Sequence, residues 1–332
     1  MSKHDANLIV VAGCGWVTPF AAGTIAEVLA TARSLSGPPE SYRGYTTGTL
    51  GWTSSSSAAP TEGGYWAVPE DLPKAYPMLS AEIQQDKGAW IAAIALEHAR
   101  RQAVPPKSMP AERVGMVLGC ALAGQLGMIT FANEVRAQSA RFVSPIHFPQ
   151  TVGNYVAGAL ARAYSIRGPN STIAAGPASG LDAIAQATAL LASGAADVVY
   201  AGGIDALSRD LALGLASPDT LLSDGACLFV LERQSEAIAW GHAPLAAVLD
   251  CHRFPAGEPP PPYPADTLVV SAGLDHRGAV RIEERVGSCF AALGAGAAAW
   301  AIGRGQATGV AMAVGDGAHT TIIEFSIGSC SP

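Results

Sequence analysis

The stretch from Ser171 to Asp205 limits the possible folds more than any other part of the chain. It predicts a short strand over Ser171–Ala175, a tight turn, a helix over Leu181–Leu191 and a buried strand over Val198–Ala201. A strand that enters a helix through a sharp turn can hold a nucleophile at the helix N-terminus. Free N–H groups and a partial positive charge stabilise an anion there. The stretch therefore predicts a scaffold suited to covalent catalysis.

The tip of this turn carries no reactive group. Pro177 stands there, between Gly176 and Ala178, and proline has no nucleophile, no acid or base and no N–H. Ser179 supplies the hydroxyl of the turn, but a serine nucleophile needs an adjacent base and the sequence places none beside it. We therefore expect Ser179 to cap the helix. The turn has the form of a catalytic turn without the group that would react.

Strands and helices alternate along the rest of the chain, which predicts the α/β class with buried sheets. The further predicted strands are Leu8–Val11, Arg113–Cys120, Ala226–Glu232, Pro244–Asp250, Leu268–Ser271, Val310–Val314 and Thr320–Phe325. The further predicted helices are Ala22–Ala32, Ser80–Gln102, Gly127–Arg136, Val152–Ala163 and Glu283–Ile302. Residues 37–79 are rich in Gly, Ser, Thr, Pro and Tyr and predict a surface excursion.

The composition excludes several classes of function. The chain has 332 residues, of which 49% are hydrophobic and 14% charged, which indicates a large core, a partner interface or both. A net charge of -7 argues against nucleic acid as the main ligand. The six cysteines form no CxxC pair and stand near no spaced histidine, so we expect no metal site. We also expect no membrane span and a cytoplasmic location.

Several segments, in the same order along the chain, resemble the β-ketoacyl synthases of fatty acid and polyketide synthesis, which have the thiolase fold. Each segment is a weak signal alone, but their order and spacing together are specific. They are Leu8–Gly23, Arg113–Gly124, Phe148–Ala187, Gly194–Ser208, Ser223–Val248 and Val310–Phe325.

The resemblance implies an α/β, thiolase-like fold in which two pseudo-repeated halves form an αβαβα five-layer sandwich. It implies an N-terminal half over residues 1–240, which includes the surface excursion, and a shortened C-terminal half over residues 241–332. No cofactor is implied.

The resemblance also implies three catalytic positions, and the sequence lacks all three groups. The family's cysteine at the turn corresponds to Pro177. Its two histidines belong in regions that correspond to Val269–Gly273 and Gly287–Gly296, and neither region contains a histidine. Asp316 stands at or near the phenylalanine gate of the family's glycine-rich loop. The pattern is similar to that of chain-length factors, the inactive members of the family that pair with an active synthase.

The resemblance therefore predicts a subunit without catalytic activity of its own. We expect it to form a heterodimer with an active ketosynthase and to shape the tunnel for an acyl chain on acyl carrier protein, in a polyketide, polyene or fatty-acid-like pathway. An aryl polyene system is one such pathway. Asp316 and His319 are the candidate tunnel or gate residues. For His319, a plain packing role stands beside the tunnel or interface role.

Two other functions remain open at this point. One is a ketosynthase relative with altered acyltransferase or decarboxylase chemistry that uses Ser179 or His276, although His276 is more typical of a solvated turn. The other is a homodimeric scaffold or carrier-protein docking module.

Some further residues have a structural interpretation. We expect Cys120 and Cys227 to be inert core thiols, and His147 to pack or cap. Asp224 and Glu232 are expected to be surface or capping carboxylates.

Overall fold

A computed structural model describes most of the chain. The described residues are 8–34, 47–51, 62–122, 124–215, 222–255, 258, 260–264, 266–274, 278–304, 307–314 and 319–327. The strands are β1 (Ile9–Thr18), β2 (Ala21–Thr24), β3 (Thr47–Gly51), β4 (Glu62–Trp66), β5 (Val114–Gly119), β6 (Asn170–Ile173), β7 (Val198–Asp205), β8 (Leu222–Ser223), β9 (Gly225–Arg233), β10 (Ala246–Pro255), β11 (Leu268–Ala272), β12 (Val280–Arg281), β13 (Thr308–Val314) and β14 (His319–Ile327). The helices are α1 (Ile25–Ser34), α2 (Ala81–Gln84), α3 (Lys87–Arg100), α4 (Gln125–Gln138), α5 (Tyr155–Ala163), α6 (Ser179–Ala192), α7 (Arg209–Leu215), α8 (Gln234–Ala239), α9 (Glu283–Val286) and α10 (Ala291–Gly303).

The large sheet contains the same strand order twice. Its first half reads β6-β5-β7-β9-β1 and its second half reads β12-β11-β13-β14-β10. Numbered within each half, both orders are 3-2-4-5-1. Strands β1 and β10 pair antiparallel through Ile9–Val11 and Ala246–Val248, which joins the two halves. The predicted pseudo-repeat is thus present in the topology, while the division between residues 240 and 241 stays a prediction.

Two helices form the central layer between the halves. Helix α6 follows β6, the third strand of the first half, and α10 follows β12 in the second. Every residue of α10 from Ala291 to Ile302 is buried, as expected of a helix that is apolar on all sides. Side chains of both helices belong to one core cluster with strand residues of both halves, among them Val117, Phe229, Val270 and Phe325.

The outer face of the first half is covered by helices. Helices α3 and α5 pack on the face of β5, β7 and β9 that points away from the central layer. Ile91, Ile94 and Leu96 of α3 are fully buried in this second core cluster. The alternation of Met116 and Leu118 outward with Val117 inward along β5 is the period-2 pattern of a strand buried on both faces.

The outer face of the second half carries a small apolar cluster of its own. Four buried strand residues, Val269, Val310, Met312 and Ile322, form the apolar cluster there. The partly buried side chains that pack on this cluster are Phe254, Tyr263, Leu274 and Ala279, and none of them lies in a described helix. Among the described residues, this cluster is therefore packed by side chains outside helices, whereas helices cover the outer face of the first half.

Two predicted helices are each divided in the structure. The helix predicted over Ser80–Gln102 is α2 and α3, because the Asp86 side chain accepts a hydrogen bond from the Ala89 N–H (2.8 Å) and starts a new helix. The helix predicted over Glu283–Ile302 is α9 and α10, separated at Gly287–Phe290. Within residues 37–79, the described part includes β3 and β4, and β4 also pairs with β8.

Candidate functional site

The turn that enters helix α6 has the predicted tight geometry. Gly176 has φ of +63°, a conformation that glycine adopts without strain. Ala178 is already helical (φ −74°, ψ −14°), and α6 begins at Ser179. Pro177 lies between them at the tip, so the position that would present a side chain to a substrate carries a pyrrolidine ring.

The Ser179 hydroxyl closes the turn and does not cap the helix as predicted. Its Oγ donates to the Gly176 carbonyl oxygen (2.6 Å) and accepts from the Ala175 N–H (2.7 Å). Ser179 is the first residue of α6 and is fully buried, so its oxygen bonds backward to the turn rather than forward to the helix N–H groups. Both hydrogen-bonding functions of this hydroxyl are used inside the turn, which argues against its use as a nucleophile.

Glycines bring other elements within contact of the turn. A Cβ on Gly180 would lie 2.3 Å from the Ala291 carbonyl oxygen at the start of α10. A Cβ on Gly294 would lie 2.9 Å from the Pro177 carbonyl oxygen and 3.2 Å from the Cβ of Ala313 on β13. The turn, the start of α10 and the end of β13 therefore meet at one place.

Asp205, which the sequence did not single out, connects the loop after β5 to the start of α10 by hydrogen bonds. It ends β7 and is buried. One carboxylate oxygen accepts from the Leu122 N–H (2.9 Å) and the Cys120 thiol (3.2 Å). The other accepts from the Ala121 N–H (3.1 Å) and the Ala291 N–H (2.8 Å). The available signal was its position, since it follows a double glycine at the end of a buried strand.

Burial sets the protonation of the groups near the turn. It raises the pKa of Asp205 to about 6, against the opposing effect of the donated hydrogen bonds. Burial, reinforced by the Asp205 carboxylate, raises the pKa of the Cys120 thiol well above its ordinary value. Burial and neighbouring thiols do the same for Cys227. Both cysteines are therefore held as thiols, in line with their predicted inert role.

His319 belongs to a cluster that ties α6 to the second half. Its Nε2 lies 2.9 Å from one oxygen of Asp182, a buried carboxylate in the first turn of α6. The other oxygen of Asp182 accepts from Arg253 Nε (2.9 Å) and from the Thr321 hydroxyl (2.6 Å). Of the two roles considered for His319, these contacts favour packing. Asp316 and His276 lie outside the described residues.

Three other residues can be placed. His147 is paired with Glu134 (Nδ1 to Oε1, 2.7 Å), a packing contact as predicted. Asp224 and Glu232 are fully buried, so the surface alternative is wrong for both, whereas Asp224 does accept backbone N–H groups, from Val68 (3.1 Å) and Leu207. Asp224 pairs with Lys87 Nζ (2.7 Å), and Glu232 lies 2.8 Å from His242 Nδ1.

Residues 6–237 match the family model of the β-ketoacyl synthase N-terminal domain. The chain belongs to the β-ketoacyl synthase family. The match covers most of the first half, including the turn at Pro177 and the Asp205 carboxylate.

Curated β-ketoacyl synthases match over parts of their length. The chain is 30% identical over 154 residues to 3-oxoacyl-[acyl-carrier-protein] synthase 2 of Vibrio cholerae, covering 40% of this chain and 37% of that protein. It is 28% identical over 225 residues to the mitochondrial 3-oxoacyl-[acyl-carrier-protein] synthase of Arabidopsis thaliana, covering 62% of this chain and 48% of that protein. The chain thus matches less than half of the length of either relative.

Solved structures confirm the thiolase-like ketosynthase fold over the chain. A ketosynthase bound to a hexaketide, in complex with its type II polyketide synthase acyl-carrier protein, aligns with a TM-score of 0.75 at 16% identity, covering 96% of this chain and 99% of that one. The ishigamide ketosynthase/chain length factor aligns at 0.73 and 19%, with the same coverage. A ketosynthase in complex with its chain length factor from Xenorhabdus doucetiae aligns at 0.72 and 14%, covering 99% of both chains.

Two of the segments that the resemblance relates to catalytic positions lie next to each other in the structure. The turn holds Pro177, and the segment Gly287–Gly296, which leads into α10 and forms its first turn, holds no histidine. Both regions meet beside β13. No cluster of three or more His, Cys, Asp or Glu side chains within the described ranges is arranged to hold a metal ion. None of the helices in the described part of the chain is long and apolar enough to cross a membrane.

Proposed function

We propose that this chain is a non-catalytic, chain-length-factor-like subunit of a β-ketoacyl synthase pair. It binds an active ketosynthase and shapes the tunnel that receives the acyl chain from acyl carrier protein. The observation that carries the proposal is the meeting of the turn, α10 and β13 around Pro177. The turn, α10 and β13 are in direct contact. The tip of the turn nevertheless has no thiol, and the Ser179 hydroxyl forms its hydrogen bonds within the turn.

The edge of the first half supports a protein partner. Strand β6 is the last strand of the sheet and, in the described part of the chain, pairs only with β5. A free strand edge can accept a strand from another chain. Helix α5 contacts β6. The segment Pro145–Thr151, which precedes α5 in the chain, packs on both α4 and α5. A partner that pairs with β6 would therefore also meet this segment.

Exposed apolar side chains on and next to that segment support the same face. Met128, Phe142, Phe148 and Val152 have exposed fractions between 43% and 69%. Large apolar side chains grouped at a surface are typical of interfaces, where aromatic residues often contribute most of the affinity. The ketosynthase/chain length factor complexes among the structural neighbours fit this assignment.

Co-expression with candidate ketosynthases tests the proposal. We expect a stable heterodimer, and we expect the purified chain alone neither to decarboxylate malonyl carrier protein nor to form an acyl adduct visible by mass spectrometry. Phe148→Asp should weaken the heterodimer at least about tenfold, since it buries a charge at an apolar contact. Ile238→Asp is the matched control, because Ile238 is an exposed apolar residue on α8, away from this face. It should leave assembly unchanged.

Two results would overturn the proposal in favour of the alternatives. A stable acyl adduct, or carbon dioxide released by the chain alone, would assign an altered acyltransferase or decarboxylase. A homodimer that excludes every ketosynthase tested would assign a scaffold or carrier-protein docking module.

A further inference from the structure

A histidine–carboxylate pair lies beside the exposed apolar residues of the proposed partner face. His147 and Glu134 meet where the segment Pro145–Thr151 packs on helix α4, with His147 Nδ1 2.7 Å from Glu134 Oε1. Their side chains are 38% and 25% exposed, respectively. The pair is therefore partly open to solvent in the chain by itself, and a partner that covers it removes that solvent.

The pair and the exposed aromatic surface belong to one contact. Phe148 follows His147 in the chain, and its ring packs edge-on against that of Phe131, with the ring centroids 5.9 Å apart. Phe131 and Glu134 are spaced i, i+3 on α4, so they are neighbours on the helix surface. Phe148 is 57% exposed. A partner seated on Phe148 therefore also covers the histidine–carboxylate pair.

Glu134 is the charged group that faces His147. The segment that carries His147 packs on helices α4 and α5. The other titratable side chains of these two helices are Arg136, Tyr155 and Arg162. The two arginines are engaged with the side chains of Asn133 and Glu82. Burial raises the pKa of Tyr155, which keeps the phenol neutral. The proton balance of the contact therefore depends on His147 and Glu134.

Covering this pair changes the cost of its charge. With a neutral imidazole, the pair carries the negative charge of the carboxylate. With a proton on both ring nitrogens, it has no net charge and its hydrogen bond is charge-assisted. A net charge is costly to bury, and pairing with an opposite charge lowers that cost. The covered pair therefore binds a proton more tightly than the exposed pair.

We propose that assembly with the partner subunit is linked to the uptake of a proton by the His147–Glu134 pair. The inference rests on the proposed function, because it needs a partner on this face. Since the complex binds the proton more tightly than the free chain, the partner binds more tightly as the pH falls. The effect is confined to the pH range between the titration of the free pair and that of the covered pair.

Dilution of the purified heterodimer at two pH values tests this link. An ordinary histidine titrates near pH 6.5, so we choose about pH 6.5 and about pH 8.5. Mass photometry of the dilution series gives the dissociation constant at each. We expect this constant to be at least about fivefold higher at the upper pH, because each unit by which the covered pair titrates higher contributes about that factor.

His147→Gln should bring the ratio of the two dissociation constants close to one, since glutamine cannot take up the proton. His252→Gln is the matched control. His252 also pairs with a carboxylate, that of Asp250 (Nε2 to Oδ2, 3.0 Å), and its side chain is 44% exposed, but it lies on β10 of the second half. This variant should keep the ratio of the unmodified chain.

Glu134→Gln gives a result that a packing role would not produce. With a neutral amide beside it, a proton on His147 adds a net charge to the covered site. The covered histidine then binds the proton less tightly than the exposed one. We therefore expect Glu134→Gln to reverse the pH dependence and to bind the partner more tightly at the upper pH. Lost packing alone would weaken assembly equally at both pH values.

Each outcome of these measurements decides the question. A ratio close to one for the unmodified heterodimer disproves the proton link and leaves the subunit assignment intact. The same conclusion follows if His147→Gln keeps the full ratio, or if His252→Gln loses as much of it. Absence of a heterodimer at both pH values overturns the proposed function as well. Because His147→Gln and Glu134→Gln act on opposite sides of the pair, either folded variant is sufficient.

Discussion

The two halves of the molecule repeat one strand order but bury their outer faces by different means. In the first half, helix α3 places Ile91, Ile94 and Leu96 at zero exposure against the sheet. In the described part of the second half, a cluster of four strand residues packs with Phe254 of β10 and with side chains that lie outside helices, such as Tyr263. The strand order therefore does not depend on a helical outer layer. The halves share the central layer of α6 and α10, which covers the inner face of the large sheet in both halves.

Two buried carboxylates of the first half are paired with cations of different exposure. Asp224 in the first half pairs with Lys87 of α3, a lysine whose side chain is 11% exposed. Asp182 pairs with Arg253 of the second half, whose side chain is 57% exposed, and it also binds His319 and Thr321. Both carboxylates have several partners, since Asp224 also accepts the N–H groups of Val68 and Leu207. They differ in the exposure of the cation, which is buried at Asp224 and solvated at Asp182.

The largest effect is expected from Lys87→Met. It should lower the free energy of unfolding by about 3–5 kcal/mol, because it leaves Asp224 buried without a cation. Arg253→Met should cost about 1 kcal/mol, since Asp182 keeps two partners and the lost pair is solvent-screened. Urea unfolding followed by circular dichroism measures both. Equal losses would show that burial of the cation does not decide how much each carboxylate depends on it.

A pH effect of intermediate size is expected at Asp205, which joins the first half to α10. Its pKa is raised to about 6, above the value of 3.8 for an exposed aspartate. The folded state therefore holds the proton more tightly than the unfolded state. The resulting stabilisation is complete below about pH 4 and is lost as the pH rises through about 6, a change of about 3 kcal/mol.

Urea unfolding at pH 4 and pH 7 measures this change. In Asp205→Asn the group cannot titrate, so the free energy of unfolding of the unmodified chain minus that of this variant should fall as the pH rises. A difference that stays constant would assign the pH dependence to the other buried carboxylates, Asp86, Asp224 and Glu232, whose pKa values burial also raises.

The smallest effect is expected in hydrogen exchange. Amides of β11 in the second half, which no described helix covers on the outer face, should exchange at least about tenfold faster than those of β5, which lies under α3 and α5. That ratio corresponds to about 1.4 kcal/mol less opening free energy. Mass-spectrometric exchange on peptic peptides resolves the two strands. Equal protection would mean that the non-helical side chains protect the outer face of the second half as well as helices protect that of the first.

Much of the framework was predictable because it depends on local pattern. The runs around Val117, Val199 and Phe229 are apolar and short, and the structure contains a buried strand at each. The turn at Gly176 and helix α6 were also predictable, since small residues followed by helical periodicity give little choice. The family followed from the order of these segments.

Other features depend on contacts between residues far apart in sequence. The Asp205 carboxylate bonds to residues 84 and 86 positions away, and nothing beside it in the sequence indicates those partners. The division of the last helix at Phe290 arises from the same contact. The burial of Asp224 was not predictable because its cation, Lys87, lies in a distant helix. In each case a buried polar group is satisfied by tertiary structure alone.

The place of α10 near the end of the chain has a consequence during synthesis. Residues of α10 cover the inner faces of strands β1 and β9, which leave the ribosome long before residue 291 is made. A nascent chain that stops short of α10 exposes apolar side chains such as Trp16, whose ring lies 3.0 Å from the Cβ position of Gly296. The core of the first half is therefore completed only after almost all of the second half has been translated. During this delay a chaperone or a partner subunit has the most exposed apolar surface to bind.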